Sequence, residues 1–399
     1  MFILDDHPSL PVPERHKKQQ LLDLIRANPF ISQQDLAAEL GVSRSAVAGY
    51  IAGLIRERKL LGRAYVLPDR RTVVCMGAAN LDRKLRSLDP LALHTSNPAS
   101  QTESYGGVAR NIAENLARLG TPVALLTATG NDSSGAALLA HAESLGIDVR
   151  GALRLDGAAS GTYTAVLDAG GDMVVALADM ALYDRLDPAF VAAREAQLAS
   201  AALVVADLNL PLATVEALLG QARRGVAPLV LVAVSEPKMA RLPRDLAGVR
   251  LLILNAGELA ARVARPLPDQ AALEAAMREV QAQGARDVVV TRGAAGVLLT
   301  LPDGTVARLD APAAEVADVT GAGDAFAAAV CWSLAQRDDN GGAGGDALLL
   351  ACRRGLHLSA LTVATLDTVH PHIGPDTLAA LETDASAAVE TAVETAVKT

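Results

Sequence analysis

The segment Asp318–Phe326 places two glycines and an aspartate where a helix is expected to begin, because an alanine-rich run follows it. Unpaired N–H groups and the dipole at a helix N-terminus favour an anion. There Asp324 could accept the proton of an alcohol while the amides of Gly321, Ala322 and Gly323 hold developing negative charge. The pattern therefore predicts phosphoryl transfer to a hydroxyl, although the carboxylate could also do no more than complement the helix terminus.

A second glycine pair, Gly106 and Gly107, precedes an amphipathic helical pattern. Glycine lets the backbone approach a ligand closely, and the amide of Asn111 offers both a donor and an acceptor to sugar hydroxyls. Upstream, Asn80 and Asp82 follow a buried first strand, and ligands of open α/β sheets collect beyond the carboxyl ends of strands. The predicted substrate-binding residues are Asn80, Asp82, Gly106, Gly107, Asn111 and Asp324.

Over about residues 72–380 the chain resembles the PfkB, or ribokinase-like, family of carbohydrate and nucleoside kinases. The shared motifs, in family order, are Asn80-x-Asp82, Gly-Gly-x-x-x-Asn at 106–111, Asn255-x-x-Glu258, Thr291-x-Gly293 and the signature at 318–324. The resemblance implies an α/β fold, a three-layer sandwich with a small β-lid, and transfer of phosphate from ATP with Mg²⁺. Segments 106–120 and 162–180 are most similar to pseudouridine kinases, so the expected acceptor is a primary hydroxyl of pseudouridine or a related nucleoside or sugar.

The resemblance also implies roles for residues on the nucleotide side. Glu258, with Asn255, would hold a hydrated Mg²⁺ near the triphosphate, but the two residues would equally suit a helix cap. Asp318 and Thr320 resemble positions that bind a monovalent cation such as K⁺ in many relatives, although Asp318 could instead only order its loop. The expected nucleotide-binding residues are Asn255, Glu258, Thr291, Gly293, Gly296, Gly321 and Gly323.

Two strand-like runs, Thr162–Leu167 and Met173–Leu177, flank a hairpin turn. We interpret residues of about 82–104 and 157–180 as a lid. In the family such strands cover the sugar and often pair across a homodimer, and closure would exclude water. A homodimer is therefore expected.

The chain departs from the family after the strand predicted at Leu229–Val232. Relatives commonly carry an acid there, whereas this chain has Ala233, followed by Val234 and Ser235. The departure affects the expected rate and substrate more than the expected fold.

Residues 15–67 resemble a winged helix-turn-helix domain that binds duplex DNA. Ser43, Arg44 and Ser45 would open a third helix that enters the major groove, and Arg63 would reach phosphate from a wing. Residues 1–71 hold 11 Lys or Arg against 8 Asp or Glu, an excess of only +3, so affinity is expected to depend on dimerisation. A small protein-interaction or dimerisation domain is the alternative.

Composition bounds the remaining possibilities. The chain of 399 residues predicts more than one domain, and its net charge of −9 leaves −12 outside the basic N-terminal segment. No apolar run is long enough to span a bilayer, and three widely spaced cysteines predict neither a disulfide framework nor a metal cluster, so a cytoplasmic location without membrane partners is expected. We further expect an N-terminal extension (1–14), a linker (68–71), a glycine-rich connector near 338–346 and a flexible tail (381–399).

Two classes of function remain. In the first, the chain is an ATP-dependent kinase fused to a DNA-binding domain. In the second, it is a transcriptional regulator that uses the kinase fold mainly as a sugar or nucleoside sensor. The intact Asp324 favours the enzyme, because a sensor has no need of a base.

Overall fold

The computed structural model describes residues 14–28, 31–60, 72–301, 303–336 and 345–378. The chain divides into two compact units, Met1–Asp69 and Arg70–Thr399. Residues 1–13, most of the predicted wing with Arg63, the predicted linker and the expected tail lie outside the described residues, as does most of the glycine-rich connector. None of the described helices is both long and apolar enough to cross a membrane.

The N-terminal unit contains three helices, α1 (Glu14–Ala27), α2 (Gln33–Leu40) and α3 (Arg44–Arg56). Serine side chains begin the last two, because Ser32 accepts the N–H of Asp35 at 3.1 Å and Ser43 accepts the N–H of Ala46 at 3.2 Å. The three helices enclose a small apolar core. Its buried members are Leu21, Leu22, Ile25, Leu36, Leu40, Val47, Ile51, Leu54 and Leu60.

The second unit alternates strands and helices. Its strands are β1 (Val73–Met76), β2 (Asn80–Ser87), β3 (Ala99–Gly106), β4 (Val123–Leu126), β5 (Ala128–Gly130), β6 (Leu153–Leu155), β7 (Thr162–Leu167), β8 (Met173–Asp179), β9 (Leu203–Asp207), β10 (Leu229–Val232), β11 (Val249–Asn255), β12 (Asp287–Thr291), β13 (Val297–Thr300) and β14 (Val306–Leu309). Its α-helices are α4 (Val108–Arg118), α5 (Ser133–Ser144), α6 (Pro188–Ala192), α7 (Glu195–Ala199), α8 (Leu212–Arg223), α9 (Ala256–Val263), α10 (Gln270–Ala282), α11 (Ala322–Ala335) and α12 (Gly345–Val363).

Eight of these strands form the main sheet in the order β14-β13-β12-β11-β10-β9-β1-β4. The six from β12 to β4 run parallel, and β13 pairs antiparallel with both of its neighbours, β12 and β14. Continuous burial of β1, β4, β9 and β10 explains their apolar sequences, which only the final residue of β9, Asp207, interrupts, since a parallel sheet is covered on both faces.

Alternate residues of the strands face two helical layers. Val73 and Cys75 of β1 join the core beneath α4, α5, α11 and α12, whereas Val74 and Met76 join the core beneath α6–α10. The sheet and its two helical layers make the three-layer ribokinase-like sandwich, as the sequence predicted.

A second, four-stranded sheet has the order β3-β2-β7-β8. Strand β2 pairs antiparallel with β3 and parallel with β7, and β7 pairs antiparallel with β8. We call this sheet the lid. Its edge strand β8 exposes an apolar row, Met173, Val174, Val175 and Leu177.

Candidate active site

The first turns of α4 and α11 meet at the candidate site. The Nδ2 atom of Asn111 in α4 donates a hydrogen bond of 2.7 Å to the Oδ2 atom of Asp324 in α11. Gly321 caps α11 with a left-handed backbone (φ 80°), and a Cβ there would overlap the carbonyl oxygen of Thr368. Only glycine therefore fits this position. A helix leaves its first N–H groups without intrahelical acceptors, and at α11 the N–H of Ala322 donates to the carbonyl of Val319 at 3.3 Å.

The carboxyl group of Asp324 is densely surrounded by protein atoms, although the residue retains some contact with solvent. Burial raises its pKa to about 7, and the negative charges of Asp207 and Asp82 act in the same direction. The hydrogen bond from Asn111 and the charge of Arg110 oppose the rise. A carboxylate whose pKa lies near neutrality is suited to accept and release a proton.

Arg110 fixes the orientation of the Asn111 amide. Its guanidinium donates to the Oδ1 atom of Asn111 at 2.8 Å, to the carbonyl of Tyr105 at 2.7 Å and to the carboxylate of Glu114. Because Oδ1 is engaged by Arg110, the Nδ2 group of Asn111 faces Asp324. Burial lowers the pKa of Arg110 to about 10, which leaves the guanidinium charged at neutral pH.

Arg110 and Glu114 did not emerge as site residues from the sequence. Both are almost fully buried, at 4% and 3% exposure, and such burial of charged residues requires pairing. The available signal was their i, i+4 spacing on the same helix as Asn111, next to its buried apolar residues.

Asn80 and Asp82 lie on the lid strand β2, where the lid joins the core. The Nδ2 atom of Asn80 donates to Asp82 Oδ1 at 2.5 Å, and burial raises the pKa of Asp82 to about 6. Gly106 pairs with Asn80 across the sheet, and a Cβ on Gly106 would overlap the carboxylate of Asp82. Gly107 leads directly into α4. The structure thus brings together the residues that the sequence assigned to substrate.

Asp207, at the end of β9, supports this arrangement from beneath and was missed by sequence reasoning. Its carboxylate accepts the N–H groups of Ala78 at 3.0 Å, Ala109 at 2.9 Å and Asn209 at 2.8 Å. It therefore ties the segment after β1 to the start of α4. Burial raises the pKa of Asp207. An acid that ends a wholly apolar strand was the signal that could have identified it.

The predicted nucleotide residues lie at the adjacent strand ends, where Asn255 of β11 pairs with Thr291 of β12. Asn255 and Glu258 form a capping box at α9, with the N–H of Glu258 donating to Asn255 Oδ1 at 2.8 Å and the N–H of Asn255 donating to Glu258 Oε2 at 2.7 Å. Gly293 and Gly296, both with positive φ, bound the tight turn after β12. The capping box is compatible with the expected role of Glu258 in holding Mg²⁺, because the cap uses only the Oε2 atom of the Glu258 carboxylate.

Glu236 was also missed. Its carboxylate fills the space beside Gly257 in the first turn of α9, and its charge adds to burial in raising the pKa of Glu258. An acid is thus present after β10, although Ala233 stands where the family resemblance led us to expect one. Two neighbouring carboxylates fit a Mg²⁺ ion that keeps several waters. The described residues contain no group of three or more His, Cys, Asp or Glu side chains arranged to hold a metal directly.

Asp318 contacts the lid. Its Oδ1 atom accepts the N–H of Thr320 at 2.9 Å and the hydroxyl of Thr320 at 2.7 Å, while its Oδ2 atom pairs with the ammonium of Lys84 at 2.6 Å. Burial opposes ionisation of Asp318, but the hydrogen bonds from Lys84 and Thr320 outweigh it and lower the pKa. Sequence reasoning did not identify Lys84.

Residues 70–373, which include every candidate residue of this site, match the model of pfkB family carbohydrate kinases. The chain belongs to this family. Among its relatives, the uncharacterized sugar kinase YeiI of Escherichia coli is 31% identical over 319 residues, which cover 80% of this chain and 88% of that protein. The pseudouridine kinase of Escherichia coli is 30% identical over 262 residues, covering 65% and 83% of the two chains. The sequence-based assignment to the pfkB family is therefore confirmed.

Solved structures agree with this assignment. A carbohydrate kinase from Agrobacterium tumefaciens superimposes with a TM-score of 0.65 at 29% identity, covering 78% of this chain and 96% of that one. The ribokinase of Arabidopsis thaliana, solved with ribose and ATP, has a TM-score of 0.64 at 20% identity and covers 78% of this chain and 98% of its own. The second likeness supports the fold alone.

Residues 14–58 match the model of winged helix-turn-helix DNA-binding domains. The N-terminal end of α3 is exposed at Arg44 and Ser45, as are Ala48 and Gly49. Ser43 is partly engaged, since its hydroxyl caps α3 and bonds with the Ser45 hydroxyl at 2.9 Å.

Proposed function

We propose that the kinase unit transfers the terminal phosphate of ATP to a primary hydroxyl of a ribosyl compound, with pseudouridine first and other nucleosides or ribose next. The observation that carries the proposal is the 2.7 Å bond between Asn111 and Asp324, which joins a sugar-binding amide to a carboxylate of raised pKa. That carboxylate stands at the N-terminus of α11, where developing negative charge is stabilised.

In this mechanism the acceptor lies between the lid and α4. Asn80, Asp82, Gly106, Gly107 and Asn111 bind its hydroxyls, which leaves the primary hydroxyl facing Asp324. Asp324 accepts the proton as the hydroxyl oxygen bonds to the γ-phosphorus and the bond to ADP breaks. The amides of Gly321, Ala322 and Gly323 hold the transferring phosphoryl group.

The nucleotide occupies the neighbouring strand ends. Thr291, Gly293 and Gly296 would contact ATP, and Asn255, Glu258 and Glu236 would hold a hydrated Mg²⁺. When bound, Mg²⁺ would neutralise phosphate charge and orient the triphosphate. Glu236 extends the set expected from the sequence.

Similarity to nucleoside kinases supports the substrate class. Besides the pseudouridine kinase, a guanosine-inosine kinase of Exiguobacterium acetylicum is 28% identical over 267 residues, which cover 66% of this chain and 88% of that protein. Both names describe compounds that carry a ribosyl group.

The test is a panel of pseudouridine, other nucleosides, ribose and hexoses with ATP and Mg²⁺, read by ADP release and by mass spectrometry of the product. Turnover of a ribosyl compound that is lost in Asp324→Asn supports the proposal. Turnover of hexoses without any ribosyl compound rejects the substrate class. Tight binding of a ribosyl compound without turnover favours the alternative, a transcriptional regulator that senses its ligand.

For the N-terminal unit, we propose that residues 15–67 bind duplex DNA with α3 in the major groove. The exposed Arg44 and Ser45 at the start of α3 support this, as does the match of residues 14–58 to DNA-binding domains. The small excess of basic residues makes two copies necessary for useful affinity.

A homodimer would supply the second copy. The proposal draws on the exposed apolar row of β8, because an unpaired edge strand with apolar side chains invites pairing with a second copy. Pairing of two lids would join two kinase units and present two DNA-binding units.

A further inference from the structure

A lysine of the lid forms an ion pair with Asp318, the first residue of the signature loop (residues 318–324). Lys84 lies on β2, and its Nζ atom is 2.6 Å from Oδ2 of Asp318. Asp318 in turn accepts the N–H and the hydroxyl of Thr320, the residue directly before Gly321. One ammonium group therefore connects the lid to the backbone that turns into the first turn of α11.

Asp318 and Thr320 are also the residues that resemble a monovalent-cation site. Their contacts therefore show whether such a cation would fit. Both carboxylate oxygens of Asp318 already have hydrogen-bond partners, and the partner of Oδ2, the Lys84 ammonium, is positively charged. A K⁺ ion at this carboxylate would lie next to the Lys84 ammonium and be repelled by it. The residues present therefore do not fit a separate monovalent cation at Asp318.

We propose that Lys84 supplies the positive charge which a monovalent cation would otherwise supply at Asp318, and that the enzyme works without K⁺. Lys84 is a positioning residue, because it acts through Asp318 and Thr320 on the amides of Gly321–Gly323. The inference rests on the proposed kinase function. It adds that the anion-binding loop is ordered by the lid itself.

Arg83 provides a matched control on the same strand. Its guanidinium pairs with Glu103 of β3 at 2.8 Å, within the lid. Neighbouring residues of a strand point to opposite faces, so Arg83 faces away from the loop that Lys84 contacts. Replacing either residue removes one positive charge and one ion pair, but only Lys84 touches the signature loop.

The first measurement is thermal unfolding in KCl, NaCl or tetramethylammonium chloride at equal ionic strength. We expect the midpoint of the parent protein and of Arg83→Met to be the same in all three salts. Lys84→Met should unfold at a lower temperature, and KCl should restore part of the loss. This readout does not require a known substrate, so the inference can fail or succeed separately from the proposed reaction.

The second measurement is turnover of the substrate found in the panel. Replacing K⁺ by tetramethylammonium should change the parent rate less than about twofold, whereas Lys84→Met should lose about tenfold or more and recover partly with K⁺. Lys84→Arg, which keeps the charge, should remain independent of K⁺. The inference would be overturned if K⁺ activated the parent protein as strongly as it activates Lys84→Met. It would also be overturned if Lys84→Met and Arg83→Met behaved alike in both measurements.

Discussion

The hydrogen bond from Asn111 to Asp324 joins residues that are 213 positions apart in the chain. It brings the first turn of α4 to the first turn of α11 and stabilises the ionised form of the Asp324 carboxyl. Burial and two nearby carboxylates act in the opposite direction and prevail, which sets a pKa of about 7. Asn111 thus moderates the basicity of Asp324 and, in the proposed reaction, also binds the acceptor.

Asp324→Asn should lower kcat by about two to four decades, because the amide cannot accept the acceptor proton. ATP binding, measured by calorimetry, should stay nearly unchanged, since the amides of Gly321–Gly323 remain. Asp303→Asn, at an exposed aspartate that bonds only with Thr305 in the described structure, is the control. Turnover of Asp324→Asn within a few-fold of the parent would contradict the role of base.

The rate should fall as pH decreases through about 7, because Asp324 must be ionised to accept a proton. Asn111→Ala removes a hydrogen bond that favours the ionised form, so the acidic limb of the kcat/KM profile should move to higher pH. Hydrogen bonds to charged groups contribute about 1.5–3 kcal/mol, which corresponds to a pKa shift of about one to two units. If Asn111→Ala has a lower kcat/KM but its acidic limb stays at the same pH, Asn111 contributes to substrate binding alone.

Asp207→Ala should lower the apparent free energy of unfolding of the kinase unit by about 3 kcal/mol, because it leaves three buried N–H groups without their acceptor. Asp207→Asn should lose less, since the amide oxygen still accepts and the costly buried charge disappears. Trp332 is the only tryptophan in the sequence and is buried in α11, so its fluorescence during urea unfolding reports on this unit.

The matched surface change is Asp245→Ala, which breaks an exposed ion pair with Arg223 and removes an exposed acceptor of the Ala247 N–H. It should shift the urea transition by less than about 1 kcal/mol. If Asp207→Ala were no more destabilising than Asp245→Ala, Asp207 would not hold β1 and α4 together.

Arg44→Ala and Arg56→Ala remove the same charge from opposite ends of α3, and both side chains are exposed. Arg44 lies at the end expected to read bases, so its loss should cost about 10- to 100-fold on selected fragments and alter sequence preference. Arg56→Ala should weaken binding similarly for all sequences. Fluorescence anisotropy at fixed salt measures the affinity of each variant for selected and unselected DNA fragments. If Arg44→Ala and Arg56→Ala changed the sequence preference identically, the N-terminal end of α3 would not read DNA.

Leu177→Asp places a charge in the exposed apolar row of β8 and should shift a dimer towards monomer in sedimentation velocity. Leu93→Asp alters an exposed leucine in the connection between β2 and β3, outside β8, and it should leave the oligomeric state unchanged. A parent protein that sediments as a monomer at all concentrations would reject pairing through β8.

Local patterns in the sequence were sufficient for the fold class, and they pointed to residues that the structure brings close together in the candidate site. Glycines before helices, serine caps and apolar strands each have a short-range signature, and the structure has helix starts at Ala322 and Arg44 close to where these predict them. The family motifs added the three-layer sandwich and the lid, whereas the order of the strands came from the structure.

Long-range partnerships had no such signature. Lys84 and Asp318 are 234 positions apart, and Ala78 and Asp207 are 129 apart, so nothing in either local segment specifies the partner. Glu236 was missed for a related reason, because it belongs to a short 3₁₀ turn whose path after β10 depends on packing against α9.

The parallel pairing of β2 with β7 has a consequence for how the protein is made. Register pairs such as Leu81 with Thr162 enclose α4, β4–β6 and α5 between them, so the two halves of the lid are synthesised far apart in time. An isolated pair of strands is only marginally stable in water. During synthesis the β2–β3 hairpin therefore has one unpaired edge until β7 has been made and the first part of the core has folded. Any dependence on chaperones should be greatest during this period, because the exposed edge can then pair with another chain.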